Sequence, residues 1–176
     1  MNLKKCSALI LGLILIFALT ACGEPESLSD NENVKVISID YAIPEDFKVL
    51  DEENKVYVTV DYPADSSKLV MTESKKTKNF LDMTEKDYKN TFDGQIKQDG
   101  KVAEVKVTKF DRCEVSGFRA INATAEFSFE KKTVTMKQLM IDADKSYIIT
   151  FMNSGTTDRS AEIDKMFKNI KIKYEK

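Results

Sequence analysis

Gly117-Phe118-Arg119-Ala120-Ile121-Asn122-Ala123-Thr124-Ala125-Glu126-Phe127-Ser128-Phe129-Glu130 is the stretch whose reading decides the fold. Ile121, Ala123, Ala125, Phe127 and Phe129 share one parity, and Arg119, Asn122, Thr124, Glu126 and Ser128 mark a wetter face, so the run reads as a long strand covered mainly on one side. It does not stand alone. Residues 103–110, 133–143 and 146–152 carry the same β-branched and aromatic character, and Glu130-Lys131-Lys132 and Asp142-Ala143-Asp144-Lys145 supply turns between them. Strands that follow one another across short turns make an antiparallel meander.

Upstream of this block, residues 34–40, 55–61 and 67–72 read as three further short strands. In the first, Val34 and Val36 are expected to face one way and Ile37 and Ile39 the other. The Pro44 turn, Ile43-Pro44-Glu45-Asp46-Phe47, breaks the run, because proline has no N–H to give to a ladder.

The period then changes from two to about four. Tyr88, Phe92 and Ile96 recur on one helical face behind Asp82-Met83-Thr84-Glu85, which has the order of a capping box, and the spacing predicts a helix over residues 84–98 ended by Asp99-Gly100. This aromatic stripe is expected to be core. A second helix is predicted near 158–169, where Ile163, Met166, Phe167 and Ile170 form an apolar face behind an Asp158 or Ser160 N-cap.

The amino-terminal segment has a different character. Lys4 and Lys5 precede an uncharged apolar run from Ala8 to Ala18, the order of a secretory signal. Sixteen residues separate Lys5 from Cys22, fewer than the roughly 20 that a membrane-spanning helix needs. Leu19-Thr20-Ala21-Cys22-Gly23 resembles the bacterial lipobox. That resemblance implies cleavage before Cys22 and a diacylglyceryl thioether on its sulfur, and two acyl chains anchor stably where one is marginal. Gly23 in place of an acid gives no inner-membrane retention cue.

Residues 1–21 are thus expected to be a cleaved lipoprotein signal peptide. Residues 22–33, acid-rich with turn formers and a single large apolar side chain, form a lipidated flexible tether, and residues 34–176 form one α+β domain. Eleven loose residues at about 5–6 Å × √n place the domain on the order of 20 Å from the bilayer. The localisation expected is the extracytoplasmic face of a cell membrane, with the lysine-rich, histidine-free composition leaning to a Gram-positive surface.

Losing residues 1–21 removes Lys4 and Lys5 and no acid, so 27 basic residues become 25 against 29 acidic ones and net −2 becomes −4. That balance argues against nucleic acid or an anionic lipid surface as partner. Of the three cysteines, Cys6 goes with the signal and Cys22 with the lipid, leaving Cys113 unpaired and expected to be buried or half-buried. Histidine is absent, which removes histidine-based triads and the commonest transition-metal ligand. The acids at Asp51-Glu52-Glu53 read as a solvated loop, and Asp142-Ala143-Asp144 as a hairpin rather than a calcium loop, since Tyr147 stands where such a loop needs glycine. No catalytic residue, metal ligand or cofactor contact is assigned.

The order of strand, Pro44–Phe47 turn, strands, helix, meander, Tyr147-Ile148-Ile149-Thr150-Phe151 and a last helix ending in Met166-Phe167 resembles the PsbP/DcrB-like superfamily. The resemblance implies an α/β/α sandwich around a twisted antiparallel sheet of six or seven strands with two main helices. By position it implies that Pro44 and Phe47 seat the first loop, that Tyr147, Ile149 and Phe151 lie in the central sheet, and that Phe167 and Ile170 make the helix contact. It implies a small-partner or assembly-factor role without catalysis, and with the anchor, the tether and the missing catalytic residues the expectation is a non-catalytic binding or assembly module for an envelope protein or small ligand, and a monomer. The rival readings are an envelope hydrolase using carboxylates or a Ser/Lys pair, and a small solute-binding lipoprotein.

Overall fold

A computed structural model describes residues 34–76, 82–98, 101–130 and 132–175. The signal, Cys22 and the tether lie outside them. In chain order the elements are β1 (Lys35–Asp40), β2 (Phe47–Asp51), β3 (Val56–Thr59), β4 (Lys68–Ser74), α1 (Glu85–Asn90), β5 (Lys97–Gln98), β6 (Lys101–Val102), β7 (Glu104–Val115), β8 (Phe118–Phe129), β9 (Lys132–Asp142), β10 (Ser146–Asn153), α2 (Ser160–Lys168) and β11 (Lys171–Glu175). Seven strands form an antiparallel sheet in the order β2-β3-β4-β10-β9-β8-β7, so the meander is the larger half. The first and last strands stand apart as a two-stranded ribbon, and β5 and β6 make a short hairpin.

Strand alternation sends side chains to two faces, and both are buried. Ile121, Ala123, Ala125, Phe127, Met136, Met140 and Ile148 form one cluster with Tyr88, Phe92 and Ile96. Leu139, Ile141, Ile149 and Phe151 form the other with Ile163, Met166, Phe167 and Ile170 of the α2 region. Helices therefore lie on opposite faces, and the architecture is the α+β sandwich expected. Coverage mainly on one side is the expectation for β8, but the second face is also covered in part: Phe118, Ala120 and Thr124 are buried there. Arg119 likewise shares the parity of Ile121. It lies at the end of that face against Asp142.

Helix α1 is six residues, not the fifteen predicted. Its N-cap is Thr84, whose hydroxyl accepts from the Asp87 N–H at 3.2 Å while Asp87 accepts the Thr84 N–H at 3.0 Å. The capping box is thus two residues later than Asp82-Glu85 suggests. Gly94 takes φ +74°, a left-handed conformation that ends helical continuation well before Asp99. Phe92 and Ile96 are still buried, held by turns rather than by helix, with Phe92 edge-on to Tyr88 and Phe127 at 5.2 and 5.3 Å. Each such buried ring contributes about 1.5–3 kcal/mol.

Strand β1 also departs from simple alternation. A bulge between Val36 and Ser38 lets Val36 and Ile39 both pack on the core, while Ile37 points out at 59% exposure. Strand β2 takes up residues read as a loop after Pro44 and forms a sheet edge. Pro44 and Phe47 seat the first loop as the resemblance implied: the Phe47 N–H donates to the Pro44 carbonyl at 3.0 Å, and its ring packs on Phe151 at 6.2 Å.

Two polar devices fasten the layers. Lys137, 6% exposed, pairs with Asp164 at 2.7 Å and donates to the Ser160 carbonyl, tying the first turn of α2 to the sheet. Arg159, at the N-cap position of α2, donates through Nε to Asp46 at 2.7 Å and through Nη1 to Asp65 at 2.8 Å, with Phe47 beneath its guanidinium. This displaces capping to Asp158, whose carboxylate accepts the Ser160 N–H. Among the described residues no helix is long and apolar enough to cross a membrane.

A Cβ on Gly155 would run into the Asp65 carboxylate, which cannot yield freely because Arg159 and the Ser67 N–H both hold it. Gly155→Ala is expected to cost about 1–3 kcal/mol in urea denaturation. The cost is expected to shrink sharply in an Asp65→Ala background, where a double-mutant cycle reads the coupling.

Candidate functional site

Between the ribbon and the second face of the sheet lies a cleft of about 220 Å³. One wall is the bulged stretch Val36–Ile39. The other comes from β4 and the β9–β10 hairpin, through Met71, Glu73, Lys145 and Tyr147, with Lys55 from the β2–β3 turn. The bulge makes the cleft. It lifts Ile37 to the rim and turns Val36 and Ile39 toward the floor.

The polar end is built around one carboxylate. Glu73 Oε1 accepts from Lys55 Nζ at 3.1 Å and Oε2 from Lys145 Nζ at 3.0 Å, so a single carboxyl spans two ammonium groups. Partial burial pushes Glu73 upward, but the hydrogen bonds and charges of Lys145 and Lys55 outweigh it and hold the group below its ordinary value. The same bond to Glu73 holds Lys145 above its own. Tyr147 donates its hydroxyl to Asp144 at 2.9 Å, and burial together with that carboxylate pushes the phenol well above its usual range. The cleft therefore presents ammonium N–H donors, a phenol oxygen with free lone pairs and one exposed apolar side chain, Ile37, at its rim, which suits binding by charge and contact.

Other sequence-marked groups lie elsewhere. Asp51 accepts from the Asn54 backbone and side chain, capping its own turn. Asp142 to Ser146 is a hairpin, with the Ala143 N–H on the Lys145 carbonyl at 2.9 Å. Asp142 itself is fully buried between Lys76 at 3.4 Å and Arg119 at 3.5 Å. The Ser/Lys pairing that a hydrolase would use is not formed by Lys137, whose ammonium meets a backbone carbonyl and a carboxylate rather than a hydroxyl. Among the described residues no three acidic or thiol groups gather to hold a metal ion.

Cys113 corrects the expectation of burial: it is exposed and unpaired on β7, an outer strand of the sheet. An edge strand leaves one flank of its ladder uncovered, so an apolar parity there does not guarantee cover. Its thiol is pushed up by partial desolvation, with Lys109 lowering and Asp111 raising it.

Because the folded Glu73 value lies below the unfolded one, its stabilisation is full above the unfolded pKa and disappears as pH falls through the folded one. The urea midpoint is expected to decline below about pH 4, with a shallower decline in Glu73→Gln. Cys113 is expected to label fully with a maleimide in the native protein, at a rate whose pH midpoint lies above that of free cysteine.

No protein-family model matches the chain, and no curated protein matches it. Solved structures do. LpqN of Mycobacterium tuberculosis, involved in cell envelope biogenesis, superposes with a TM-score of 0.52 at 13% identity, covering 85% of this chain and 99% of that one. Cyanobacterial PsbP (CyanoP) from Synechocystis sp. PCC 6803 gives 0.49 at 12% identity, covering 86% and 99%. At 13% identity the LpqN comparison shows a shared fold and says nothing of activity.

Proposed function

We propose that this chain is a non-catalytic binding module held on the outer face of a bacterial membrane by a diacylglyceryl group on Cys22, its envelope-protein or small-molecule ligand meeting the domain at the ribbon cleft. The observation that carries the anchor is Leu19-Thr20-Ala21-Cys22 behind a cationic and then apolar leader. The chemistry of the cleft supports binding: two ammonium groups, one carboxylate and the exposed Ile37 offer charge and contact, and none of them is arranged as nucleophile and base. The fold shared with LpqN, a protein involved in cell envelope biogenesis, accords with an envelope setting.

Mass spectrometry of protein extracted from membranes tests the anchor. The expected species begins at Cys22 and carries a diacylglyceryl thioether, and Cys22→Ala is expected to lose both lipid and membrane retention. A free amine at Gly23 or beyond would overturn the reading. Capture from crosslinked cells tests the binding role: turnover of an envelope substrate by purified protein would replace it with a catalytic one.

A further inference from the structure

We propose that the ribbon cleft takes a small amphipathic oxyanion, a carboxylate or phosphate bearing a short apolar chain, with Lys55 and Lys145 as its cationic contacts and Glu73 as the internal carboxylate it displaces. This rests on the binding role given above and names the ligand chemistry of the same site. Glu73 supplies the template. Its two oxygens take one ammonium each at 3.1 and 3.0 Å, so the two lysines already stand at the spacing that an oxyanion bridges.

Little of the fold depends on these three charges. Lys55 and Lys145 sit at hairpin turns with side chains 42% and 51% exposed, and Glu73 is 37% exposed. Pairs this open to water contribute little to stability. Each ammonium has three N–H donors and gives one to Glu73, so both keep donors for an incoming anion. Lining charges sum to two positive and one negative, and displacing Glu73 outward leaves the two lysines facing the ligand.

The rest of the cleft selects the other end of the molecule. Val36, Ile39 and the buried Met71 underlie the cleft, and the apolar surface open to a ligand is that of Ile37 at the rim. An alkyl group laid against Ile37 removes its apolar surface from water. A volume of about 220 Å³ is smaller than the ~300–1,000 Å³ of drug-sized sites, which limits the ligand to a short chain and excludes a polymer. The overall negative charge does not oppose this, because an ammonium pair within contact range acts before the diffuse field of the chain does.

The test uses the purified full-length lipidated protein in detergent, labelled with carbon-13 at the methionine methyls. Met71 lines the cleft and is assigned with Met71→Leu. Butyrate and butyl phosphate are expected to shift the Met71 methyl saturably, whereas butanol at equal concentration leaves it in place. The tighter of the two anions identifies the head group. Lys55→Gln and Lys145→Gln are each expected to weaken binding about tenfold, the worth of one charged hydrogen bond, and Glu73→Gln to tighten it by a similar factor. The other methionine methyls, unshifted, report that each variant is folded. Equal shifts with butanol, or lysine variants that bind as wild type, would overturn the proposal. An absent Met71 response alongside successful partner capture removes the oxyanion site and leaves the binding role standing. A Met71 response without captured protein narrows that role to small ligands.

Discussion

Lys137 and Gln138 are neighbours near the middle of β9, and the alternation of a strand sends them to opposite faces of the sheet. Lys137 reaches the first turn of α2 through Asp164 and the Ser160 carbonyl. Gln138, fully buried, accepts the Tyr88 hydroxyl of α1 at 2.8 Å and donates to Thr150 at 2.9 Å. One dipeptide thereby bolts both helices to the sheet. A polar group inside an apolar layer is costly unless satisfied, so these bonds fix where along the sheet each helix sits, and hydrophobic contact alone does not choose that position.

Around the dipeptide the layers are apolar and nearly continuous, and the remaining fixed points lie at the ends of the sheet. Arg159 draws together the first loop, the loop after β3 and the start of α2. At the opposite end, the buried Asp142 lies between Lys76 and Arg119. The cleft sits at that second end, beside turns whose charged side chains are solvated. It occupies the part of the second face that α2 leaves to the ribbon, which is why its walls can differ in chemistry without disturbing the core.

The meander was legible because four strands in succession each carry a local signal: alternating parity, β-branched residues and turn formers within two or three positions. The core role of Tyr88, Phe92 and Ile96 was legible too, but not their conformation, since a four-residue interval also fits a short helix followed by turns and Gly94 decides between the two. Strands β2 and β11 escaped because five residues with three or four exposed ones carry no clear period. The cleft could not be read at all. Glu73 lies 18 positions from Lys55 and 72 from Lys145, and only the β3–β4 and β4–β10 registers bring the two lysines to its carboxylate. Cys113 was misjudged because nothing local marks β7 as an edge.

The ribbon pairs Lys35 with Glu175 and Asp40 with Lys171, joining the first described strand to the last. Such a pairing has the longest loop to close and gains nothing until the final strand exists. In a chain that emerges amino end first, β1 must wait, solvated and unpaired, while the sheet assembles behind it. The cleft wall it carries is then completed only when β11 arrives, so the cleft takes shape after the sheet and opens first when the ribbon frays.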